Sequence, residues 1–265
     1  MIQNPRSLVD RLRLAKHVVV LTGVGVSAES GIPTFRDKQT GIWEQFSAEE
    51  LATPEAYQRD PSMVWGWYEW RRSIALRAQP NAAHRAIAEM ACKAPRMTLV
   101  TQNVDDLHER GGSREVVHLH GRLTQPVCEL CRSLFPLREG TNDQPQLDRR
   151  IEPPRCHSCG GRIRPGVVWF GEALPESEWT RAQTATCTCD VFFCIGTSSV
   201  VYPAASLTRS AMNMGAVTVQ INNTSTALDS KVSFNLTYEV RPAWSCQPWS
   251  KTFGRPSDPL SLSIG

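Results

Sequence analysis

The sequence predicts an α/β fold, a Rossmann-like parallel sheet with helices on both faces, joined to a smaller second lobe. Three observations predict it. Short apolar runs, mostly β-branched and continuous rather than alternating, mark strands covered on both faces. Helical patterns separate several of these runs, as crossovers between parallel strands require. The first run ends in Gly23-Val24-Gly25-Val26-Ser27-Ala28, which fits G-x-G-x-x-G/A directly after a strand.

Six runs are read as strands, at residues 17–22, 97–102, 115–119, 167–170, 191–196 and 216–221. A helix precedes the first, over 7–15, with Leu8, Val9, Leu12 and Leu14 assigned to one side. A second helix spans 80–92, through Ala82, Ala83, Ile87, Ala88 and Met90. A third, over 203–214, follows the fifth strand. Two stretches break the alternation. Residues 43–77 are rich in Trp, Glu and Arg and read as helices without strands. Residues 122–165 carry two Cys-x-x-Cys pairs among Gly, Pro and Arg and cannot supply a large core. Both are read as insertions that form the smaller lobe. Residues 140–148 read as a surface loop.

Composition narrows the function classes. In 265 residues, 41% hydrophobic and 21% charged side chains exclude wholesale disorder. Twenty-nine basic against 26 acidic residues, a net +3, give no argument for nucleic acid as the main partner. No apolar run is long enough for a membrane-spanning helix, and residues 1–6 lack a signal core, so a cytoplasmic protein is expected. Nine cysteines, an odd number, argue against a disulfide framework.

Cys128 and Cys131 form one pair and Cys156 and Cys159 the other, with 24 residues between the pairs. Four thiolates at this spacing suit one tetrahedral Zn²⁺, and with no open coordination position the ion is structural. His157, inside the second knuckle, is read as a spectator. Cys187, Cys189 and Cys194 are assigned as small buried hydrophobes.

The glycine turn lets the backbone approach a pyrophosphate at a helix N-terminus. A hydride-transferring dehydrogenase would place an acidic residue about 20 residues on, at the end of a second strand. Here that region is 39–44, with no strand before it. The loop instead continues Glu29-Ser30-Gly31-Ile32-Pro33-Thr34-Phe35-Arg36-Asp37, too polar and punctuated for a plain crossover helix. His120 falls at the end of the third strand, the carboxyl edge where such sheets carry chemistry, and is a candidate general base.

These residues have a familiar pattern. GVGVSAESGIPTFRD, residues 23–37, resembles the GAGxSxxSGIPxFR signature of the sirtuins, the NAD-dependent protein lysine deacylases. Thr101-Gln102-Asn103-Val104-Asp105-Asp106-Leu107-His108 is similar to the family's TQNIDxLH, and His118-Leu119-His120-Gly121 to its HG motif. The two cysteine pairs, Phe170-Gly171-Glu172, Gly196-Thr197-Ser198 and Ile221-Asn222 follow in the family's order, over about residues 5–230.

The resemblance implies one catalytic domain over 1–240. Its Rossmann-like lobe takes about 1–40, 95–121 and 167–231, its helical insertion about 42–92 and its zinc-binding insertion about 122–166. It implies NAD, consumed as co-substrate, against Gly23, Val24, Gly25, Ala28, Glu29, Thr34, Phe35, Arg36, Trp43, Gln102, Asn103, Asp105, Gly196, Thr197, Ser198 and Asn222. His120 is the implied catalytic base, with Asn103 also catalytic, His118 a packing residue and His108 structural. Zinc falls on Cys128, Cys131, Cys156 and Cys159. The implied reaction moves the acyl group of a modified protein lysine to ADP-ribose, releasing nicotinamide, free lysine and O-acyl-ADP-ribose, a transferase and hydrolase chemistry. The substrate strand would lie along Val168 and Phe170, within 168–172, and along 199–201. Tyr68 and Arg71, in Tyr-x-x-Arg on a helix over 65–77, match the sirtuin class that removes succinyl, malonyl and glutaryl groups. Residues three apart share a helical face, and the downstream Pro80-Asn81-Ala82-x-His84 fixes the register. The implied partners are acylated lysines of proteins, with no membrane and no sequence-specific nucleic acid, and the chain is expected to be a monomer.

Two departures stand out. Val24 replaces the family's usual Ala, adding bulk beside the expected pyrophosphate. The tail over 241–265 is atypical: a segment like AGxxLPxL is expected, and the chain from Val232 onward is therefore read as poorly ordered. Read two bases later, one permissible codon choice for residues 241–249 spells AGLVLPAL, which makes a reading-frame shift one explanation. Two rival functions stay open at this point: mono-ADP-ribosyl transfer to protein, and an impaired binding module. Val24 and the tail favour the second; Gln102, Asn103, Asp105 and His120 oppose it.

Overall fold

The computed structural model describes residues 5–33, 48–136 and 150–238. Helix α1 (Pro5–Leu14) leads into β1 (Val18–Thr22), which runs into a short 3₁₀ helix over Val24–Ser30. The helical lobe follows as α2 (Ala48–Leu51), α3 (Pro54–Arg59) and α4 (Pro61–Arg77). Pro54 and Pro61 open their helices, where a missing N–H costs nothing, behind Thr53 and Asp60 caps that accept from Ala56 N and Met63 N. The chain returns through α5 (Ala82–Lys93), capped by Asn81, to β2 (Met97–Thr101), α6 (Leu107–Arg110) and β3 (Val116–His118). An antiparallel pair, β4 (Val127–Cys128) and β5 (Ile163–Arg164), makes the cysteine lobe. Helix α7 (Glu176–Thr188), β6 (Val191–Ile195), α8 (Ser206–Asn213), β7 (Val217–Asn222) and β8 (Phe234–Thr237) complete the chain.

The main sheet is six-stranded in the order β3-β2-β1-β6-β7-β8, and all its pairs are parallel. Every residue of β1 and β6 is buried, as a strand sandwiched between helices requires. Alternation along β1 sorts its neighbours. Val19 and Leu21 pack with Phe192, Ala182 and Ala185 of α7 and Leu207 and Ala211 of α8. Val18 and Val20 pack on the other face with Leu8 of α1 and Ile87 of α5. The helical lobe has a separate core around Trp67, Tyr57 and Trp169. Strand order reverses beside β1, since β2 lies on one side and β6 on the other; the carboxyl ends of β1 and β6 thus form the crevice where open α/β sheets bind ligands.

Several expectations need correction. Residues 167–170 form no strand of the sheet. Val167 bridges Gly121, and Phe170 N–H donates to Ala52 O, so the run is spent joining lobes. The sixth strand is instead β8, inside the region from Val232 onward that was read as poorly ordered. Phe234 is buried in the core, and its backbone ladder follows β7 from Val219 to Asn222. Helix α7 was not among the helices read from the sequence. Leu14 is exposed rather than on the buried side of α1, because it lies about 240° around the helix from Leu8. Cys187 is exposed, near the end of α7, whereas Cys189 and Cys194 are buried as expected.

Candidate active site

The crevice is built by glycines. Gly23 N–H donates to Ile195 O at 3.0 Å, and Gly25 N–H donates to Gly196 O at 2.8 Å. A Cβ at Gly25 would sit 2.7 Å from that same oxygen. Gly196 adopts φ +60°, and a Cβ there would strike the Val26 nitrogen. The glycine turn therefore closes the β1 loop onto the β6 loop, a use of these residues additional to any ligand. Thr197 sits in the join: its Oγ1 accepts from Gln102 Nε2 at 3.1 Å, and its carbonyl accepts from Asn222 Nδ2 at 3.0 Å. The ends of β2, β6 and β7 are thus tied together. Ser198, beside them, and Val24, Ala28 and Glu29 on the facing loop are partly exposed.

Ser27 is the hub beneath this crevice and is fully buried. Its hydroxyl donates to Asp105 Oδ2 at 3.1 Å and accepts from Asn103 Nδ2 at 3.0 Å. His84 Nε2 lies 3.4 Å away from the same oxygen. Asp105 Oδ1 accepts from Leu107 N–H, starting α6. Burial pushes the Asp105 carboxyl up, while the Leu107 and Ser27 hydrogen bonds pull it back. Both carboxylate oxygens are engaged by the chain, so Asp105 braces the loop. Asn103 Nδ2 is likewise spent on Ser27, which leaves its Oδ1 buried with no hydrogen-bond partner among the described residues. Asn103 N–H donates to Thr101 Oγ1, which also accepts from Thr22; Thr22 in turn touches His108 Nε2 at 2.9 Å. His108 is structural, as expected.

His120 follows β3. Its Nδ1 lies 3.0 Å from the Gln102 carbonyl oxygen, and its pKa is lowered by burial, with that hydrogen bond opposing. A carbonyl oxygen can only accept, so Nδ1 carries the proton and Nε2 is the basic nitrogen. The His120 carbonyl accepts from Val168 N–H at 2.9 Å. Gly121, at φ +73°, lets the chain turn against Gly166 there. Val168 is partly exposed and Phe170 exposed, one on each side of buried Trp169. His118, read as a packing residue, is buried but does more. Its Nε2 meets Glu109 Oε1 at 2.8 Å, and its Nδ1 lies 3.2 Å from the Asn103 carbonyl.

Tyr68 and Arg71 both lie on α4, with Tyr68 buried and Arg71 partly so. Trp169 Nε1–H donates to the Tyr68 hydroxyl oxygen at 3.1 Å. The Arg71 guanidinium lies over the Trp67 ring, 5.0 Å from its centroid. Burial lowers the Arg71 pKa, and Tyr68 and then Asp105 work against that. Val104, on the loop that carries Asn103, packs against the core cluster that contains Tyr68.

The four cysteines converge away from this crevice. A Zn–S bond of about 2.3 Å in a tetrahedron separates sulfurs by about 3.8 Å. Cys128 and Cys159 Sγ are 3.4 Å apart, Cys131 and Cys156 Sγ 3.7 Å, and all four lie within 4.8 Å of one another. Four thiolate donors with this spacing fit one structural zinc. His157 is not among them and stacks on Phe135.

Thr34, Phe35, Arg36 and Trp43 lie outside the described residues, as do residues 140–148 and the tail over 241–265. Sequence reasoning missed Ser27 and His84 as site residues. Ser27 lay inside the glycine motif, and His84, buried and paired with Asn81 in a capping box, had served only to set a register.

A model described as "Sir2 family" matches residues 23–203. A Methylococcus capsulatus protein named NAD-dependent protein deacylase is 54% identical over 229 residues, 86% of this chain and 90% of its own length. NAD-dependent protein deacylase 1 of Pseudomonas aeruginosa is 53% identical over 217 residues, covering 82% of this chain and 87% of its own. Among solved structures, a Sir2 homologue in complex with NAD superposes with a TM-score of 0.81 at 42% identity, covering 90% of each chain. A Sir2–p53 peptide–NAD⁺ structure superposes with a TM-score of 0.77 at 28% identity, covering 89% of this chain and 94% of the other.

Proposed function

The chain belongs to the Sir2 family, and from that premise we propose that it is an NAD-dependent protein lysine deacylase that removes succinyl, malonyl and acetyl groups. NAD, when bound, would supply a ribose that gives up nicotinamide from one carbon and takes the acyl group on a hydroxyl oxygen, with water consumed and free lysine released.

The single observation that carries this reading is the Asn103–Ser27–Asp105 cluster, with an unsatisfied Asn103 Oδ1 beside the crevice and neutral His120 at its edge. The residues fit the dinucleotide. A buried acceptor with no donor costs about 1–3 kcal/mol, and the amide N–H₂ of a nicotinamide is the kind of group that satisfies it. Gln102 and Asn222 hold Thr197 in a fixed position at the far wall, so groups there that would meet a ribose need not reorganise. His120 Nε2 can take a hydroxyl proton, because Gln102 holds the proton of the other ring nitrogen in place. Val168 hangs from His120 by a backbone bond, so an extended acyl-lysine peptide along Val168 and Phe170 has its side chain near the base. Tyr68 and Arg71 supply phenol and guanidinium for an acidic acyl end; Arg is suited to a carboxylate by its planar fork of donors.

The test is a panel of acetyl-, malonyl- and succinyl-lysine peptides incubated with NAD and resolved by mass. Equal amounts of nicotinamide, free-lysine peptide and O-acyl-ADP-ribose are expected. ADP-ribosylated protein without loss of acyl group would overturn the reading.

A further inference from the structure

Tyr68 does not stand alone in its lobe. Its hydroxyl oxygen accepts the indole N–H of Trp169 at 3.1 Å, and both rings are buried. Trp169 is itself gripped from several directions. The Arg164 guanidinium carbon lies over its ring, 3.6 Å from the centroid. Glu172 takes the Trp169 backbone N–H at 2.8 Å with the carboxylate that also binds Arg164 bidentately, at 2.6 and 2.8 Å. Tyr57 packs against the indole at 5.2 Å, and its hydroxyl donates to Ile163 O, next to Arg164. Arg164 belongs to β5, the strand of the cysteine lobe.

From this chain of contacts we propose that Arg164, Glu172 and Trp169 are positioning residues that set the polarity of Tyr68 as a hydrogen-bond donor to the acyl group. A phenol has one proton, held near the ring plane by conjugation. An N–H donor seated at the oxygen excludes that proton from its side. The Tyr68 proton is therefore turned away from Trp169 and offered to an acceptor. Burial raises the Tyr68 pKa, so the proton stays in place across the working pH range. An acceptor-only carboxylate matches a donor pair made of Tyr68 O–H and the Arg71 guanidinium; a methyl terminus does not. The cysteine lobe would thus contribute to acyl selection through Arg164 without touching substrate.

This rests on the acidic-acyl reading of the pocket, and the experiment separates the two. The measurement is kcat and KM for succinyl- and acetyl-lysine peptides with wild type, Arg71→Met, Tyr68→Phe, Trp169→Phe and Arg164→Lys. Trp169→Phe removes the N–H and keeps an aromatic ring. We expect the succinyl-to-acetyl ratio of kcat/KM to fall about tenfold, mainly through KM for the succinyl peptide, as for a hydrogen bond to a charged group. Tyr68→Phe should lower it similarly, and Trp169→Phe should add little on that background, because the two act through one bond. Arg164→Lys, which loses the fork that binds Glu172, should move the ratio in the same direction. In ¹⁵N-labelled protein the Trp169 indole resonance should shift upfield in Tyr68→Phe, independently of any acyl preference. A ratio that drops with Arg71→Met but holds with Trp169→Phe overturns the positioning proposal alone. A ratio unmoved by Arg71→Met and Tyr68→Phe overturns the acidic-acyl reading and this proposal with it. An indole resonance unmoved by Tyr68→Phe overturns the proposed bond whatever the kinetics.

Discussion

His120 Nδ1 sits 3.0 Å from the backbone oxygen of Gln102, so the residue that follows β2 decides which nitrogen of the histidine can act. Burial lowers the His120 pKa below its ordinary 6.5, and only the neutral form is a base. The sign follows directly: at neutral pH the ring is already deprotonated, and activity is lost as pH falls through the lowered value. The acid limb of kcat/KM should therefore have its midpoint below 6.5. His120→Ala should cost about 10²–10⁴-fold in turnover while NAD still binds. An acid limb centred well above 6.5, or near wild-type turnover in His120→Ala, would remove His120 from the chemistry.

The legible parts of the chain were those whose neighbours in sequence are also their neighbours in function. β1 and β6 are unbroken apolar runs because helices cover both their faces, and burial on both faces leaves that mark. The HG and TQN motifs sit at strand ends, so their place at the crevice is legible from position. β8 is hard to read because it pairs with β7 alone, and its sequence, Phe-Asn-Leu-Thr, alternates two apolar with two polar residues over only four positions. Residues 167–170 carry the opposite trap, since Val167 and Trp169 pack into the helical lobe and not into the sheet, while Val168 and Phe170 face outward. The contacts of Ser27 with His84 and Asp105 span 57 and 78 residues, a closeness that no local pattern encodes.

The sulfur spacing predicts about one tightly held zinc per chain. Cys128 and Ile163 are fully buried in the small cluster that the metal would anchor, with Trp65 of α4 packed on it. Removing one thiolate should therefore loosen the helical lobe as well as the hairpin, because ligand binding and folding share one free energy here. Cys128→Ser is expected to lose zinc by elemental analysis and to melt well below the wild type. A variant free of metal with an unchanged Tm would contradict a structural role.

His84 and His108 face each other with ring centroids 4.9 Å apart, under the Ser27 cluster. Both are buried. Burial and then Arg85 lower His84 to about 4; burial, His84 and His118 lower His108 to about 3, with Glu109 opposing. The unfolded chain binds protons at these sites below about 6.5 and the folded chain does not, so stability rises with pH in that window. It is complete above 6.5 and lost progressively toward pH 4, by on the order of a few kcal/mol. Urea unfolding at pH 7.5, 6 and 5 should show this decline, and His84→Gln should flatten it. A midpoint independent of pH over that range would refute the coupling.

Arg71 tests the acyl specificity. It shares α4 with Tyr68, three residues on, and lies over Trp67. Partial burial pulls its pKa down, yet Tyr68 and Asp105 hold the proton on, so the group remains a cation in a poorly solvated place. Such a cation gains most from a ligand that brings its own negative charge, and a succinyl carboxylate does so where an acetyl methyl does not. Arg71→Met keeps the length and apolar stem while removing the fork. The kcat/KM for a succinyl-lysine peptide should fall about 10- to 100-fold, as expected for a hydrogen bond to a charged group, while deacetylation loses far less. The loss should appear mainly in KM, because the carboxylate is bound alike before and during the reaction. Equal losses on succinyl and acetyl peptides would make Arg71 a structural part of α4 and leave the acidic acyl preference without its cation.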